Sequence, residues 1–332
     1  MKPLPLVSFV LLAYNQEKYI REAVEGALAQ TYSPLEIVLS DDCSKDRTYD
    51  IMKEIVATYQ GPHKIMLNSN TKNLGIGGHI NRVNEMAQGQ LIVAAAGDDV
   101  SLATRVEKIV AKWLIAPERV HLIYSDCEQI FNDGTTLGLV KTFRSLNLVE
   151  SFIRNDDIVL GAVCAWSRAC FDRFGPLRDC IHHEDCIIPF RAALLGKTAH
   201  IPEPLVKYRV LCGSTVANLR QNISLTRIRY LKADLRSNIR SVERELQSTS
   251  DIISQKKSDL LKIGSNQEFV RILDARAKNV ATQIYLLTGS SLIHKICLLA
   301  KRESGRSGVV KLLVKGEIRK FLKLRVEEER GF

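Results

Sequence analysis

The sequence predicts an α/β protein with a mostly parallel sheet sandwiched by helices and followed by an all-helical C-terminal extension. The first observation behind this prediction is that short apolar runs alternate with amphipathic segments through the first half of the chain. Runs that are apolar throughout are typical of strands buried on both faces. Strands that alternate with helices build parallel sheets covered by those helices. The second observation is that almost nothing but helical pattern follows residue 219.

Each element of the first half is predicted from its local pattern. Apolar runs predict strands at residues 6–13, 35–40, 64–67, 91–96 and 121–125. Apolar residues spaced three or four apart predict helices at residues 19–29, 48–59, 79–87 and 105–114. The glycine-rich segment at residues 75–78 predicts a flexible turn before the third helix. Residues 198–209 predict an edge strand, because two prolines within them cannot donate ladder hydrogen bonds.

The charge distribution separates a first domain, residues 1–212, from a basic helical extension, residues 213–332. From residue 220 onward the chain has 24 Lys and Arg against 12 Asp and Glu, whereas residues 1–219 have 23 and 25. The net charge of +10 therefore resides in the last third of the chain. This distribution argues against a nucleic-acid groove in the first domain and favours a cationic appendage that meets an anionic surface.

The end of the extension has two faces. Between residues 310 and 324, six apolar residues share one helical face and five Lys or Arg share the other. A basic amphipathic helix of this kind can lie in an anionic membrane interface, or its apolar face can pack on the protein. An apolar stripe at residues 228–246 is similarly open to two interpretations, packing within the monomer or the seam of a homodimer.

The remaining composition predicts a cytoplasmic protein, soluble or peripheral at the inner membrane face. The eight cysteines form no C-x-x-C pair, so they read as small buried hydrophobes in a reducing compartment. The apolar N-terminus lacks a signal-peptide cleavage site and has the length of a buried first strand. Elsewhere no run approaches the about 18 uninterrupted apolar residues that a membrane span needs.

Two aspartate pairs are the most informative feature for function. Asp41-Asp42 and Asp98-Asp99 end two of the predicted strands. Open α/β folds bind ligands at the carboxyl ends of their parallel strands. Four carboxylates at such an edge need a counter-charge, and Mg²⁺ or Mn²⁺ carrying a phosphorylated ligand supplies it. The alternative interpretation is that an Asp after a strand caps the next helix or starts a turn.

Two common nucleotide-binding classes are weakened by the sequence. The segment after the first strand, residues 13–17, contains no glycine that would admit a pyrophosphate. The chain also contains no G-x-x-x-x-G-K-[ST] motif. Neither a dinucleotide-dependent dehydrogenase nor a P-loop NTPase is therefore predicted.

Several segments together resemble the family 2 glycosyltransferases, which have the GT-A fold. They cover residues 5–212 in the family's order: Val7–Asn15, Gln30-Thr31-Tyr32, Leu35–Val38, Asp41–Asp46, Asn73-Leu74-Gly75, Gly97-Asp98-Asp99, Glu184-Asp185 and Ile201–Arg209. The resemblance implies a fold of the GT-A type with a catalytic domain that binds a nucleotide sugar.

The resemblance also implies a role for each site residue. Nucleotide-sugar binding falls to Ala13, Tyr14, Asn15, Asp42, Asn81 and Asp98. Within that set, Asp42 binds the base, and Asp98 contacts the ribose or the donor sugar. Asp99 ligates the metal, Mg²⁺ or Mn²⁺, and Asp185 is the catalytic base. Taken without the resemblance, Glu184-Asp185 would read as an acidic helix start.

These roles describe an inverting transfer from a nucleoside diphosphate sugar. Negative charge develops on the leaving diphosphate and a metal can neutralise it. A carboxylate on the opposite side of the anomeric carbon takes the proton of the attacking hydroxyl. The acceptor implied by the resemblance and the basic tail is a cell-surface glycan or a lipid-linked acceptor.

Three positions depart from the family pattern. Cys43 stands where glycine or asparagine is usual, Ile80 stands where arginine is common, and Val210-Leu211-Cys212 follows the last strand where a metal-binding histidine is usual.

Two alternative functions remain. The first is a non-catalytic nucleotide-sugar or glycan-binding relative, which would not need a catalytic base. The presence of both aspartate pairs and Glu184-Asp185 argues against it. A sugar-phosphate nucleotidylyltransferase would need a glycine- and arginine-rich loop after the first strand, and Tyr14-Asn15-Gln16-Glu17 is not such a loop.

Overall fold

The computed structural model describes residues 3–115, 120–142, 159–210, 235–264 and 267–289. Its strands are β1 (Val7–Ala13), β2 (Leu35–Asp41), β3 (Lys64–Ser69), β4 (Leu91–Ala96), β5 (Val100–Ser101), β6 (Val120–Ile130), β7 (Thr136–Val140), β8 (Cys164–Ser167) and β9 (Lys197–Arg209). Its α-helices are α1 (Ile20–Leu28), α2 (Thr48–Ala57), α3 (Gly75–Met86), α4 (Arg105–Leu114), α5 (Ala169–Phe174), α6 (Ile188–Leu195), α7 (Leu235–Lys262) and α8 (Gln267–Gly289). Short 3-10 turns cover Gly161–Val163 and Glu184–Cys186.

The described strands form a single mixed sheet in the order β3-β2-β1-β4-β8-β6-β9-β5, with β7 paired to β6. The first four strands in this order are parallel. Strand β8 runs antiparallel to both β4 and β6, whereas β6 and β9 are parallel. The carboxyl ends of β2, β1 and β4 therefore emerge side by side, and this edge carries both aspartate pairs.

The central strands are buried on both faces, as their continuous apolar sequences predict. On one face, alternate residues of β1, β2 and β4, such as Phe9, Ile37 and Val93, form a core with α1, α2 and α4. The residues between them on the other face, such as Val10 and Val38, are also buried. The predicted α/β fold class is thus confirmed, with the parallel pairing concentrated at the β3 end of the sheet.

Three predicted elements differ from the structure. Helix α3 begins at Gly75, so the glycine-rich segment is the first turn of the helix and not a turn that precedes it. Strand β6 continues to Ile130, five residues past its predicted end at residue 125, because it pairs with β7 and β9. Strand β9 has β6 on one side, and the two-residue β5 covers part of its other side at Lys207 and Val206.

The described part of the extension is helical, as predicted. Contacts assign the last part of α7 and the beginning of α8, within Asp251–Leu273, to the same unit as the first domain. The remaining described parts of α7 and α8 belong to a second unit. The predicted domain boundary at residue 212 and the amphipathic helix at residues 310–324 lie outside the described residues. Most of the proposed homodimer stripe also lies outside them or has no described side chains.

A buried ion pair ties α7 to the first domain. The Arg191 guanidinium on α6 donates to Asp259 from Nε at 2.8 Å and from Nη2 at 3.3 Å, and both side chains are fully buried. Gln255 Nε2 donates to the same carboxylate at 3.0 Å, and Gly175 O accepts from Arg191 Nη1 at 2.7 Å. Since α6 directly follows the Glu184–Cys186 turn, this pair also anchors the segment that carries Asp185.

We expect Asp259→Ala to lower the free energy of unfolding by about 3–5 kcal/mol, because it leaves the Arg191 charge buried without its partner. Urea denaturation followed by circular dichroism measures the change. Glu25→Ala is the matched control: it breaks an exposed pair with Arg21 at 3.9 Å, which is worth at most about 1 kcal/mol. Equal losses in the two variants would contradict the anchoring role of Asp259.

Within the described residues, none of the helices combines the length and the hydropathy required to cross a bilayer.

Candidate active site

A cavity of about 420 Å³ opens at the carboxyl ends of β1 and β4. Its walls come from the ends of these two strands, the start of α3, the Gly161–Val163 turn and the Glu184–Cys186 turn. The lining residues are Leu12, Ala13, Tyr14, Gln16, Asp42, Asn73, Gly75, Ile76, His79, Ile80, Ala94, Ala95, Ala96, Gly161, Ala162, Cys164, Trp166, Glu184, Asp185, Ile188 and Pro189. The cavity is therefore lined by both Asp42 and Asp185.

The loop after β1 is fixed to the loop after β2. Asn15 adopts a positive φ of 52°, a conformation that asparagine tolerates better than most residues. Its backbone N–H donates to Ser44 Oγ at 2.8 Å, and its Oδ1 accepts from Lys45 N at 2.8 Å. Cys43 has a φ of 62°, which explains why glycine or asparagine is usual at this position. Asn15 thus supports the cavity wall that Ala13 and Tyr14 form, without lining the cavity itself.

Asp42 is held rigidly by three donors. Its Oδ1 accepts from Asn70 Nδ2 at 2.8 Å and from Leu74 N at 2.9 Å, and its Oδ2 accepts from Gly75 N at 3.0 Å. The residue is buried, yet it lines the cavity. Because each carboxylate oxygen has two lone pairs, Oδ2 can accept one further hydrogen bond from a ligand.

The Gly97-Asp98-Asp99 segment follows β4 and needs its glycine. A Cβ at Gly97 would lie 2.5 Å from Gln16 Oε1 and 2.9 Å from Ala13 Cβ, so a side chain there would displace the loop after β1. Asp99 Oδ1 accepts from Arg209 N at 2.7 Å. Asp99 Oδ2 is buried and has no hydrogen-bond partner in the described part of the chain.

Burial, followed by the nearby Asp98 charge, raises the pKa of Asp99 well above its ordinary value. Burial also raises the pKa of Asp98. Two adjacent carboxyls that resist ionisation in this way are stabilised as carboxylates by a divalent cation. The unpaired Asp99 Oδ2 is a hard oxygen ligand of the kind that Mg²⁺ and Mn²⁺ prefer. Asp99, with Asp98 beside it, therefore fits the predicted metal.

The described residues contain no cluster of three or more His, Cys, Asp or Glu suited to a metal ion. A metal at Asp99 would thus rely on phosphate oxygens and water for most of its ligands, as Mg²⁺ commonly does. The last strand ends at Arg209, and its backbone N–H already bonds to Asp99. Residues 211 and 212, which follow the last strand where the family usually has a metal-binding histidine, lie outside the described residues.

Two buried arginines hold the segment around Asp98 and Asp99 and the turn beside the cavity. Arg209 Nε donates to Asp98 O at 2.9 Å, and its Nη2 donates to Glu22 Oε2 at 3.0 Å. Arg105 Nη1 donates to Ser101 Oγ at 2.8 Å, and its Nη2 donates to Ala162 O at 2.8 Å. Burial lowers the pKa of Arg105 to about 10. Arg105 therefore remains a cation at neutral pH and fixes the Gly161–Val163 turn of the cavity.

Glu184 and Asp185 line the cavity from the Glu184–Cys186 turn. Burial, followed by the Asp185 charge, raises the pKa of Glu184 to about 8. Burial also raises the pKa of Asp185, and His183 opposes this rise. With this pKa, Glu184 is mostly protonated at neutral pH. Asp185 Oδ1 is buried without a hydrogen-bond partner in the described structure.

The Glu184 carboxyl group packs closely against Gly161, and a side chain at residue 161 would make that carboxyl group move. A Cβ at Gly161 would lie 2.3 Å from Glu184 Oε1. Nothing in the local sequence indicates this contact, since 23 residues separate the two positions. Sequence reasoning also missed Arg105 and His79, because each lies in an ordinary helical pattern.

The structure brings most of the predicted site residues together. Ala13, Tyr14, Asp42 and Asp185 line the cavity. Asp98 and Asp99 lie beside it: the charges of Asp98, Asp99 and Asp185 all help to raise the pKa of Tyr208, after its burial. The Tyr208 phenol is thus near enough to Asp99 and Asp185 to sense the charges of both.

Asn81 is placed differently from the other predicted residues. Its Nδ2 donates to Leu177 O at 2.8 Å and its Oδ1 accepts from Leu177 N at 2.8 Å. The amide therefore satisfies the backbone after α5, and Asn81 is not among the lining residues. This position supports a structural role for Asn81 and gives no support to direct contact with a nucleotide sugar.

In this fold, acidic residues at the ends of parallel strands lie beside an open cavity. The chain matches the model of glycosyl transferase family 2 over residues 8–173, half of its length, and it belongs to that family. The predicted family membership is therefore confirmed.

Relatives and solved structures agree with this assignment. The chain is 32% identical over 121 residues to the Escherichia coli UDP-Glc:alpha-D-GlcNAc-diphosphoundecaprenol beta-1,3-glucosyltransferase WfaP, over 36% of this chain and 45% of that protein. The aligned regions span 38% of a Bacillus subtilis relative and 73% of a Haemophilus influenzae relative.

Two solved structures share the fold. Staphylococcus aureus TarS 1-349 in complex with UDP-GlcNAc superimposes with a TM-score of 0.56 at 14% identity, covering 92% of this chain and 83% of that one. The Pyrobaculum calidifontis mannosyltransferase PcManGT in complex with GDP-Man and Mn2+ gives 0.52 at 18% identity, covering 95% and 84%. The predicted GT-A-type fold is confirmed by these neighbours.

Proposed function

We propose that this glycosyltransferase moves a sugar from a nucleoside diphosphate sugar to a hydroxyl group with inversion at the anomeric carbon. The observation that carries the proposal is that Asp185 lines the same cavity as Asp42 and that its buried Oδ1 has no described hydrogen-bond partner. A carboxylate with an unused acceptor site can take the proton of an attacking hydroxyl. A single base that acts from the side opposite the leaving group results in inversion.

The residues around the cavity have separate roles in this proposed mechanism. Asp42 would accept a hydrogen bond from the nucleobase of the donor. Ala13 and Tyr14 would form the wall beside the nucleotide. Asp98 would face the ribose or the donor sugar. The Glu184 carboxylic acid lies beside Asp185 and keeps the second negative charge out of the cavity. Arg105 holds the turn that faces this pair.

Asp99 would hold Mg²⁺ or Mn²⁺, which supplies positive charge against the diphosphate when the donor is bound. The unpaired Asp99 Oδ2 supports this proposal. Arg209 keeps the carboxylate in place through its backbone N–H.

The acceptor is part of the proposal. WfaP, by its name, acts on a diphosphoundecaprenol-linked sugar, and we propose a lipid-linked or cell-surface glycan acceptor for this chain also. We propose too that the basic residues 310–324 attach the protein to the inner membrane face. Sedimentation with anionic vesicles, with and without residues 305–332, tests this attachment, and equal sedimentation of both forms at low salt would contradict it.

A thermal-shift screen tests the donor class. We expect a UDP-, GDP- or dTDP-sugar to raise the melting temperature, and to raise it further with Mn²⁺, because ligand binding to the folded state stabilises it. CMP-sugars, which carry a single phosphate, complete the screen. Product analysis by NMR then shows the anomeric configuration. Donor binding without transfer to any acceptor would favour the non-catalytic alternative, and retention of configuration would contradict the inverting mechanism.

A further inference from the structure

A chain of buried hydrogen bonds connects Asp42 to His79 behind the cavity wall. Asn70 Nδ2 donates to Asp42 Oδ1 at 2.8 Å. Asn68 Nδ2 donates to Asn70 Oδ1 at 2.9 Å and to Ser40 Oγ at 2.9 Å. Ser40 Oγ lies 2.7 Å from His79 Nε2. The two ends of this chain, Asp42 and His79, both line the cavity.

The direction of every hydrogen bond in this chain is fixed from the Asp42 end. A carboxylate only accepts, so the Asn70 atom that faces Asp42 is Nδ2. The other end of that amide, Oδ1, therefore accepts, and the Asn68 atom that faces it is Nδ2. The second hydrogen of Asn68 Nδ2 is then directed at Ser40 Oγ.

Ser40 in turn fixes the tautomer of His79. The Ser40 side chain is fully buried, and its described partners are Asn68 Nδ2 and His79 Nε2. Because Asn68 donates, the hydroxyl proton has one acceptor available, His79 Nε2. A buried hydroxyl proton without an acceptor would cost about 1–3 kcal/mol. The imidazole therefore carries its own proton on Nδ1.

Burial lowers the pKa of His79, although Asp42 and Asp41 oppose this shift. The ring is accordingly neutral at physiological pH and has one donor and one acceptor. Nδ1 has no hydrogen-bond partner in the described part of the chain. It is also not one of the polar atoms that are fully buried without a partner, so a ligand can reach it. A donor on the cavity wall is thus left for a ligand.

We propose that His79 Nδ1–H and Asp42 Oδ2 together recognise the nucleobase by an edge that has an N–H donor beside a carbonyl oxygen. This inference rests on the proposed use of a nucleotide sugar. Uracil and thymine present such an edge at N3–H with O4, and guanine presents one at N1–H with O6. Cytosine presents an acceptor at N3 beside an exocyclic amine. Its N3 acceptor would then face the acceptor Asp42 Oδ2, and its amine donor would face the donor His79 Nδ1–H.

Calorimetry with UDP, GDP and CDP at a fixed Mn²⁺ concentration tests the proposal. We expect the wild-type protein to bind UDP or GDP at least about tenfold more tightly than CDP, since a mismatch leaves buried polar groups unpaired. The double variant Ser40→Ala/His79→Leu removes both partners of one hydrogen bond and so limits the cost to folding. It should reduce the preference over CDP by about 3- to 10-fold.

The matched control is His121→Leu. His121 also bonds to a serine hydroxyl, Ser167 Oγ at 2.8 Å, and burial also lowers its pKa, but it is not a cavity residue. This variant should keep the wild-type preference. If both variants lose the preference equally, the effect is a general one of losing a buried histidine and the proposal fails.

A second measurement needs no substitution. Nitrogen-15 NMR of histidine-labelled wild-type protein distinguishes a protonated Nδ1 from a protonated Nε2. We expect His79 to be protonated on Nδ1, and the opposite pattern overturns the proposal. Equal binding of UDP, GDP and CDP overturns it as well while leaving the nucleotide-dependent function intact. Absence of binding by all three nucleotides overturns the proposed function and this inference together.

Discussion

Asp185→Asn is expected to reduce turnover by about 10²–10⁴-fold while the affinity for the donor stays near that of the wild type. Asparagine keeps the shape of the side chain but cannot accept a proton. Asp185 lines the cavity, and its buried Oδ1 has no described donor that the change would lose. An interaction required only during proton transfer affects kcat more than binding.

The measurement combines single-turnover transfer assays with calorimetry of the donor. Glu184→Gln provides the comparison, because Glu184 has a pKa of about 8 and is already neutral at pH 7. We expect this variant to lose much less activity than Asp185→Asn. A larger loss in Glu184→Gln would reassign the base to Glu184.

The pH profile gives an independent check on the same residue. Burial raises the pKa of Asp185 above that of an ordinary aspartate. The base works only when ionised, so kcat/KM should fall as the pH drops through this raised pKa. The acid limb should therefore lie at higher pH than an ordinary carboxyl would give. A residual activity of Asp185→Asn that follows the same acid limb would place the titrating group elsewhere.

Asp99→Asn should abolish the dependence of donor binding on Mn²⁺ and lower turnover at least about a hundredfold. Loss of the metal removes several kcal/mol of stabilisation from the developing diphosphate charge, and each 1.36 kcal/mol is about tenfold in rate. The asparagine can keep the hydrogen bond that Arg209 N makes to Oδ1 at 2.7 Å. The change therefore acts mainly on the unpaired Oδ2 and on the negative charge.

Calorimetry of UDP and GDP with and without Mn²⁺ measures the effect, with melting temperature as the check on folding. Asp172→Asn is a suitable control, since Asp172 is an exposed acid on α5 away from the cavity. Metal-dependent affinity that persists in Asp99→Asn would exclude Asp99 as the ligand.

The sequence determined the parallel half of the sheet and the position of both aspartate pairs. These features are local: a strand buried on both faces is apolar along its whole length, as Ile37 and Val93 show within their runs. Parallel strands place their carboxyl ends at one edge, so the residues after them are predictable neighbours. The roles of Asp42, Asp99 and Asp185 came from the resemblance to a family, because their spacing alone does not define them.

The tertiary structure decided the properties that depend on contacts between distant residues. Strand β6 extends to Ile130 because β7 and β9 pair with it, and no local pattern sets that end. The Nδ1 proton of His79 is assigned through Ser40, Asn68 and Asn70, which the chain brings together from separate elements. Local propensity encodes strands and helices, whereas hydrogen-bond direction, burial and the resulting pKa shifts arise only when such distant groups pack together.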